Sequence, residues 1–359
     1  MNFILIISIL DILIASGLLI IKLGRLNYNK EKYEGGDYFN PKALIILPIK
    51  GKDFQMNLNL RSLKQQTYSN FRIIAVIDDE NDESVDVLKE EGIEYLISDA
   101  LCSECSGKVR AIYSALLRFR DFHCYVIADS DIRVERDWLG KLIKPLSKKD
   151  VGISTTFPKF YPEGGFWSYF KMYWGMIGES MMESSITRFA WGGSLAFRND
   201  LLDDNDLKEF SSSISDDISL LNICKRKGLK VAYVKDATVL IHSPDNFRIF
   251  LEWSNRQTAL SISSSNKIFL LGMIYYVLAS FLIISVILMS ILGYYLFLLL
   301  LIPVFYISYS NYRNAPVKNG LFIAHNFILY FFYIYNLMAG KFKKNITWRG
   351  RNYQLKSKV

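Results

Sequence analysis

An uncharged segment, Ile268 to Ser310, constrains this chain more than any other feature. It contains no Asp, Glu, Lys or Arg, and it is long enough for two crossings of a hydrocarbon core about 30 Å thick. A second apolar segment, Phe3 to Ile21, has Asp11 as its only charged residue. The chain has 359 residues, of which 51% are hydrophobic and 14% are aromatic, which is too long and too apolar for one ordinary soluble domain. The sequence therefore predicts an integral membrane protein.

Charged residues around the first apolar segment predict its orientation. No basic region precedes it and no small-x-small cleavage site precedes Lys22, so we interpret it as an anchor rather than a signal peptide. Basic residues follow it instead: Lys22, Arg25, Lys30 and Lys32. By the positive-inside rule, the N-terminus faces outward and the domain that starts near residue 40 is cytosolic. The net charge of +8 is concentrated at membrane flanks, which favours anionic lipid and argues against nucleic acid as a partner.

The stretch Cys124 to Val134, C-Y-V-I-A-D-S-D-I-R-V, carries the first chemical motif. Tyr125 to Ala128 is predicted to be a buried strand of a parallel sheet, with Asp129, Ser130 and Asp131 at its carboxyl end. Open α/β sheets bind ligands at that edge. Two carboxylates one residue apart suit Mg²⁺ or Mn²⁺, which one or two carboxylates usually hold together with substrate phosphates. A solvated turn is the alternative, because Asp and Ser are common in turns.

The order of the predicted elements supports a ligand site. Strands are predicted at Lys42–Pro48, Phe71–Ile77 and Ile93–Ile97, with helices between them. A further helix opens at Gly107-Lys108 and leads to the D-S-D strand. This alternation predicts a parallel sheet wound with helices, and it places the acidic cluster Asp78 to Asp82 on the same edge as D-S-D. Acidic residues at two strand ends and a lysine at a helix start predict a pocket for a nucleoside diphosphate and its metal ion.

Later motifs are weaker individually. The glycines of Trp191-Gly192-Gly193-Ser194 permit close approach of a ligand to the backbone, although a plain turn would use them too. Ser215-Asp216-Asp217 heads a predicted helix, where ordinary capping explains acidic residues. His242 follows a predicted strand on the metal-bearing edge, and it is open whether it is structural or a metal ligand. The Met-, Tyr- and Trp-rich helix Tyr169 to Met182 suits either an apolar acceptor site or ordinary core filling.

The four cysteines show no metal-binding pattern. Cys102 and Cys105 form a lone C-x-x-C, without the second pair of a zinc site. In a cytosolic domain all four are expected to be reduced thiols.

Taken in order, the motifs D-D-E-N-D, G-K, D-S-D, W-G-G-S, S-D-D, a histidine and W-S-N-R-Q resemble those of family 2 glycosyltransferases of GT-A fold. Within that family they look most like the ceramide glucosyltransferase group, which includes hopanoid and archaeal lipid glycosyltransferases. The likeness covers about residues 40 to 260. The tail Ile346 to Tyr353 is similar to a W-R-G-x-x-Y tail of the same group. The resemblance implies a cytosolic α/β, Rossmann-like GT-A domain joined to α-helical transmembrane segments.

The resemblance also implies roles for matching residues. Asp79 matches the aspartate that contacts the nucleotide, Lys108 the lysine near the diphosphate, and Asp129 the metal-binding aspartate. Asp217 matches the general base, although the sequence leaves its neighbour Asp216 open as a rival. The residues assigned to donor binding are Asp79, Lys108, Asp129, Ser130, Gly193 and Gln257, and those assigned to Mg²⁺ or Mn²⁺ are Asp129, Asp131 and His242.

The final signature departs from the family pattern. Related families usually show Q/R-x-x-R-W, whereas this chain has Ile249 to Trp253, I-F-L-E-W, with Arg256-Gln257 three residues later. Trp253 retains its catalytic role in this interpretation, and Arg256 is taken as its basic partner.

A membrane-bound, inverting, metal-dependent transferase is what the resemblance implies. It would move a sugar from a nucleoside-diphosphate sugar to a lipid hydroxyl at the cytosolic face of the bilayer, with glucose and UDP-glucose favoured by resemblance only. A processive polysaccharide synthase and a polyprenyl-phosphate sugar synthase are the enzyme alternatives. A membrane scaffold with a degenerate transferase domain is the non-enzyme alternative.

The predicted organisation follows the apolar segments. Its parts are a transmembrane helix (1–23), a linker (24–40), a cytosolic transferase domain (41–262), a transmembrane helix pair (266–310) that turns near Gly293, a basic cytosolic loop (311–319), a third apolar segment (320–340) and a basic tail (341–359). If the third segment crossed the membrane once, the basic residues of the tail would lie on the outer side: Lys341, Lys343, Lys344, Arg349 and Arg351. That arrangement violates the charge rule, so an interfacial or re-entrant segment and a cytosolic tail are preferred.

Overall fold

The structure is a computed structural model that describes residues 2–28, 39–102, 104–185, 187–264, 266–348 and 350–354. Lys30, Lys32, Arg349 and most of the predicted linker lie outside the described residues. The chain divides into two compact units. The sheet unit comprises Glu31–Phe160 and Gly178–Ser243, and the helical unit comprises Met1–Lys30, Tyr161–Ile177 and Pro244–Val359.

The elements are numbered in chain order. The helices are α1 (Asn2–Tyr28), α2 (Met56–Lys64), α3 (Val85–Glu90), α4 (Gly107–Arg118), α5 (Trp138–Ile143), α6 (Phe166–Met182), α7 (Asp204–Phe210), α8 (Asp216–Arg226), α9 (Phe247–Ser264), α10 (Asn266–Ile291), α11 (Ile302–Asn314) and α12 (Phe322–Phe342). The strands are β1 (Ala43–Pro48), β2 (Phe71–Ile77), β3 (Tyr95–Ile97), β4 (Cys124–Ala128), β5 (Ile132–Val134), β6 (Val151–Thr155), β7 (Lys159–Pro162), β8 (Ser194–Arg198), β9 (Lys230–Tyr233), β10 (Val239–Ser243), β11 (Asn345–Trp348) and β12 (Arg351–Gln354). Short 3-10 helices cover Lys144–Ser147, Asn199–Leu201 and Tyr295–Leu301.

The sheet unit is built on a seven-stranded sheet with the order β3-β2-β1-β4-β8-β6-β9. The pairs β1–β2, β1–β4 and β2–β3 are parallel, which confirms the parallel sheet predicted from the first four strands. Strand β8 runs antiparallel to β4 and to β6. A second, three-stranded sheet has the order β5-β10-β7, and β5 pairs antiparallel with β10.

Burial explains why these sequences form strands and helices. β1 is apolar on consecutive residues because Ala43 to Leu47 are buried on both faces of the sheet. Helix α4 turns Val109, Ile112 and Leu116 toward the core, at the spacing of one helical face. Each such aliphatic side chain stabilises the fold by roughly 1.5–3 kcal/mol on burial. This core holds the carboxyl ends of the parallel strands in fixed positions.

Among the residues that the structure describes, the helical unit has four helices that are long and apolar enough to span a membrane: Phe3–Gly24, Asn266–Ile291, Tyr295–Asn314 and Phe322–Phe342. The second and third are joined at Gly293, whose φ of 93° is readily adopted only by glycine. Asp11 is fully buried, and its Oδ2 accepts a hydrogen bond from Ser285 at 2.7 Å. That contact gives the one charged residue of the first apolar segment a polar partner.

The third predicted apolar segment is one continuous helix, α12, in which His325, Asn326 and Asn336 are buried. The basic tail forms an antiparallel hairpin, with β11 paired to β12. Gly350, which precedes β12, has a φ of 75°.

The prediction that all cysteines are reduced is wrong for one pair. Cys102 and Cys105 form a disulfide, while Cys124 and Cys224 are buried free thiols. The loop before α4 brings the two Cα atoms to 5.8 Å, within the range that a disulfide requires. The spacing alone could not show how this loop folds.

Candidate active site

The acidic motifs of the sheet unit lie at the carboxyl ends of parallel strands. Asp78 to Asp82 follow β2, and Asp129 to Asp131 follow β4. Because both strands pair in parallel with β1 between them, these ends share one edge of the sheet. The structure therefore places the two clusters together as the sequence predicts.

Lys108 lies at the centre of the site. Ser106 caps α4 by accepting a hydrogen bond from the backbone N–H of Val109, which fixes Lys108 in the first helical turn. The Lys108 Nζ lies 2.8 Å from Asp129 Oδ1 and 3.3 Å from Asp216 Oδ2. Burial alone would lower the pKa of Lys108, but the charges of Asp129 and Asp216 raise it above its ordinary value. This lysine is therefore a fixed positive charge at neutral pH.

Asp216 and Asp217 differ in environment although they are adjacent at the start of α8. Asp216 is 6% exposed, and this burial raises its pKa to about 7. The charge of Lys108 lowers the pKa, whereas the charges of Asp217 and Asp129 raise it further. Asp217 is only partly buried. Its Oδ1 accepts hydrogen bonds from Ser215 Oγ and from the N–H of Ile218, and its Oδ2 accepts one from the N–H of Gly192 at 3.2 Å. Asp217 is thus the more accessible carboxylate of the pair.

The turn Trp191-Gly192-Gly193 connects these groups. The carbonyl of Gly192 accepts a hydrogen bond from Lys108 Nζ at 3.1 Å, and the carbonyl of Gly193 accepts one from the N–H of Asp129 at 3.1 Å. A Cβ atom at position 192 would lie 2.4 Å from Asp216 Oδ2. A side chain at this position would therefore displace Asp216.

The predicted metal ligands occupy neighbouring positions. The β5–β10 register pairs Ile132 with Ile241, so Asp131 and His242 fall at the next opposite positions. The side chain of Asp129 remains 32% exposed while it contacts Lys108. Within the described part of the chain, no group of three or more His, Cys, Asp or Glu side chains is arranged to hold a metal ion. The carboxylates of Asp129 and Asp131 are ligands that suit Mg²⁺ or Mn²⁺, and the assignment of these two residues and His242 to a metal ion stays a prediction.

The turn after β1 contributes residues to this edge that sequence reasoning missed. Lys50 Nζ lies 3.0 Å from Asp78 Oδ2, and the N–H of Gly51 donates to both oxygens of Asp82 at 3.0 Å. Burial alone would raise the pKa of Asp82, but hydrogen bonds from Ser84 and Gly51 and the charge of Lys50 lower it. Hydrogen bonds thus connect the turn after β1 to the acidic cluster after β2.

Asp53 was also missed, and Ser130 Oγ donates a hydrogen bond to it. Asp53 had only the polar turn after Pro48 as a signal in the sequence. Asp79 is exposed and accepts a hydrogen bond from the N–H of Asn81. It therefore lies at the predicted strand end with a side chain that solvent can reach.

Trp253, Arg256 and Gln257 belong to the helical unit, on α9. The ring of Trp253 packs against Trp174 at 4.8 Å, and Lys171 Nζ lies 4.7 Å from its centroid. Lys171 is itself paired with the buried Asp245 at 3.0 Å. Within its own unit Trp253 therefore lies in a packed, charge-bearing environment, while the catalytic role assigned to these residues stays a prediction.

Comparison with known proteins identifies the family. The model of glycosyl transferase family 21 matches residues 8–359. The chain belongs to that family. The family 2 resemblance inferred from the motifs is thus refined to family 21, and the catalytic class, a glycosyltransferase, is established. No curated protein matches this family 21 member.

Solved structures show the fold of this family 21 chain. A mannosyltransferase from Pyrobaculum calidifontis, solved with GDP-mannose and Mn²⁺, aligns with a TM-score of 0.56 at 13% identity over 92% of this chain and 97% of that one. Glucosyl-3-phosphoglycerate synthase from Mycobacterium tuberculosis, solved with Mn²⁺, UDP and phosphoglyceric acid, aligns with a TM-score of 0.42 at 14% identity over 70% of this chain and 82% of that one. The alignment with the mannosyltransferase shows that the mixed α/β sheet of this chain is of the GT-A type, as predicted.

Proposed function

We propose that this protein is a membrane-bound, inverting glycosyltransferase that moves a sugar, glucose in our assignment, from a nucleoside-diphosphate sugar to a hydroxyl group of a lipid. The observation that carries the proposal is the arrangement of Lys108, Asp129, Asp216 and Asp217 around Gly192. It combines a fixed cation for a diphosphate with an accessible carboxylate for an acceptor. Family 21 membership and the four apolar helices support it.

Lys108 stabilises the leaving group in this proposal. As the bond between the anomeric carbon and the diphosphate oxygen breaks, its electron pair remains on the nucleoside diphosphate. The charge of Lys108, held beside Asp129, offsets the negative charge that develops there. Asp129, Asp131 and His242 would hold a Mg²⁺ or Mn²⁺ ion, which supplies further positive charge at the diphosphate when bound.

Asp217 acts as the general base. Its Oδ2 takes the proton of the acceptor hydroxyl as that oxygen bonds to the anomeric carbon from the face opposite the diphosphate. One displacement inverts the configuration of that carbon. Asp216 is disfavoured as the base because it is buried and directed at Lys108.

Donor binding and membrane orientation complete the proposal. The remaining donor contacts are assigned to Asp79, Ser130, Gly193 and Gln257, and Trp253 with Arg256 is assigned to the catalytic signature. UDP-glucose is favoured as the donor by the ceramide glucosyltransferase resemblance. The basic residues Lys22 and Arg25 after the first apolar segment favour a cytosolic sheet unit.

The test uses membranes that contain the full chain, a panel of labelled nucleotide sugars, and Mg²⁺ or Mn²⁺. Label in an organic-extractable product identifies the donor sugar and supports the proposal. Label in a long insoluble polymer would favour a polysaccharide synthase, and label on a polyprenyl phosphate would favour a polyprenyl-phosphate sugar synthase. Nucleotide binding without any transfer would favour a scaffold.

A further inference from the structure

Three partly exposed aromatic side chains of the sheet unit form a cluster, which we call the aromatic patch: Phe157, Phe189 and Trp191. The Phe157 ring lies 5.7 Å from that of Phe189, edge to face, and 6.1 Å from that of Trp191. Such geometries are favourable for aromatic pairs. Each ring keeps some surface open to solvent while its neighbours hold it in place.

Two glycines make room for this patch. A Cβ atom at Gly178 would lie 2.2 Å from the Phe157 ring, and one at Gly193 would lie 2.1 Å from the Trp191 ring. Gly178 is inside α6, where glycine is less favourable than alanine for helix stability. The glycine thus lowers the stability of α6 but leaves space for the Phe157 ring to pack against the helix backbone.

The aromatic patch is connected to the proposed catalytic groups through the backbone of the turn at Gly192. The N–H of Trp191 donates to Thr155 Oγ1 at 3.1 Å, which anchors it to the end of β6. The next residue, Gly192, contacts both Lys108 and Asp217. One turn therefore carries an aromatic ring on its first residue and holds the proposed base with its second.

Other aromatic residues near this part of the sequence are already engaged in packing. Phe170 and Tyr173 of α6 are fully buried, and Trp174 stacks on Tyr333 with ring centroids 5.3 Å apart. These contacts favour core filling for most of the helix considered above as an acceptor site. The aromatic patch is better placed to contact a substrate.

Charges beside the patch argue for an uncharged occupant. Glu179 follows Gly178, and Lys235 contacts Glu179 at 3.7 Å and Glu183 at 2.7 Å. Tyr233 is influenced by the carboxylates of Glu179, Glu183 and Asp236 and by Arg188. Counting Lys235, which pairs with two of these carboxylates, the three acidic groups outnumber the two basic groups by one. A net negative environment opposes a phosphate group and tolerates an aliphatic alcohol.

We propose that the aromatic patch is the acceptor subsite and that it binds the aliphatic carbons next to the hydroxyl that is glycosylated. This inference rests on the proposed function. Burial of a methylene group against the rings stabilises the bound acceptor by about 0.8 kcal/mol, equivalent to about a fourfold lower KM. The subsite therefore selects an alcohol by its hydrocarbon portion and directs its hydroxyl toward Asp217.

The experiment uses the full chain and straight-chain primary alcohols from ethanol to octanol as surrogate acceptors, with the nucleotide sugar that the wild type turns over. For wild type, KM falls about fourfold for each methylene that reaches the rings, and then levels off. Trp191→Ala flattens this dependence, Trp191→Phe restores part of it, and the KM for the nucleotide sugar changes less than the KM for octanol. Gly178→Ala, which removes no ring but displaces Phe157, flattens it too.

Phe71→Ala is the matched control. Phe71 is a partly exposed aromatic residue at the amino end of β2, away from the catalytic edge, and its loss leaves the chain-length dependence intact. An unchanged dependence in folded Trp191→Ala and Gly178→Ala proteins would overturn the subsite while leaving the transferase proposal standing. If wild type neither hydrolyses nor transfers any nucleotide sugar, the proposed function fails and the subsite fails with it.

Discussion

Asp217 accepts a hydrogen bond from the backbone N–H of Gly192 at 3.2 Å, and the carbonyl of the same glycine accepts one from Lys108 at 3.1 Å. One residue without a side chain thus connects the proposed base to the cation proposed to stabilise the leaving group. The backbone of this turn sets the distance between the two, so small changes in the turn are expected to affect catalysis directly.

Gly192→Ala tests that connection. The added Cβ would lie 2.4 Å from Asp216 Oδ2, so Asp216 or the turn must move, and we expect transfer to fall by about 100-fold. Gly165→Ala is the control, because a Cβ there meets no atom within 4 Å. Steady-state transfer rates of the two purified proteins provide the measurement. Equal activity in both would show that the turn has no role in positioning the base.

Protein stability is predicted to depend on pH through Asp216. Burial raises its pKa from an ordinary 3.8 to about 7, so between those values the folded protein binds more protons than the unfolded chain. The free energy of unfolding therefore falls as the pH rises from about 4 to 7. The stabilisation is fully present below the unfolded pKa and fully lost above the folded pKa. Melting temperatures at pH 5 and pH 8 are expected to differ more in wild type than in Asp216→Asn. The same difference in both proteins would mean that Asp216 is not the group responsible.

Metal removal is predicted to abolish transfer. EDTA treatment should stop the reaction, and added Mn²⁺ should restore it, because the proposed ion neutralises charge on the diphosphate. Asp131→Asn is expected to raise the Mn²⁺ concentration for half-maximal activity by at least about tenfold. Asp137→Asn, at an exposed residue paired with Lys141, should leave that concentration unchanged. Full activity in EDTA would contradict the metal assignment.

Much of the fold follows from local patterns in the sequence. β2 spans Phe71–Ile77 in the structure as predicted, because a continuous apolar run between polar turns has few alternatives. The short strands β5 and β6 were missed, since Ile132–Val134 and Val151–Thr155 lack a distinctive pattern outside their tertiary context. The antiparallel insertion of β8 was missed for a related reason, because sequence order does not specify strand direction.

The candidate site was predictable where residues stand at strand or helix ends. Lys108 and Asp129 were placed by that reasoning, and the structure brings them to 2.8 Å. The choice between Asp216 and Asp217 was not predictable, because adjacent residues at a helix start differ only in the burial that tertiary packing creates. Asp53 was missed for the same reason, since only the folded chain brings it to Ser130.

The most direct test of the account compares Asp217→Asn with Asp216→Asn in transfer of labelled sugar to lipid. Loss of the proposed general base is expected to reduce transfer by 10²- to 10⁴-fold, while nucleotide binding persists because Lys108 and Asp129 remain. Asp216→Asn is expected to retain much more activity, since that side chain is buried and contacts Lys108. Lipid-linked label that persists in Asp217→Asn, or that disappears only in Asp216→Asn, would contradict the central claim.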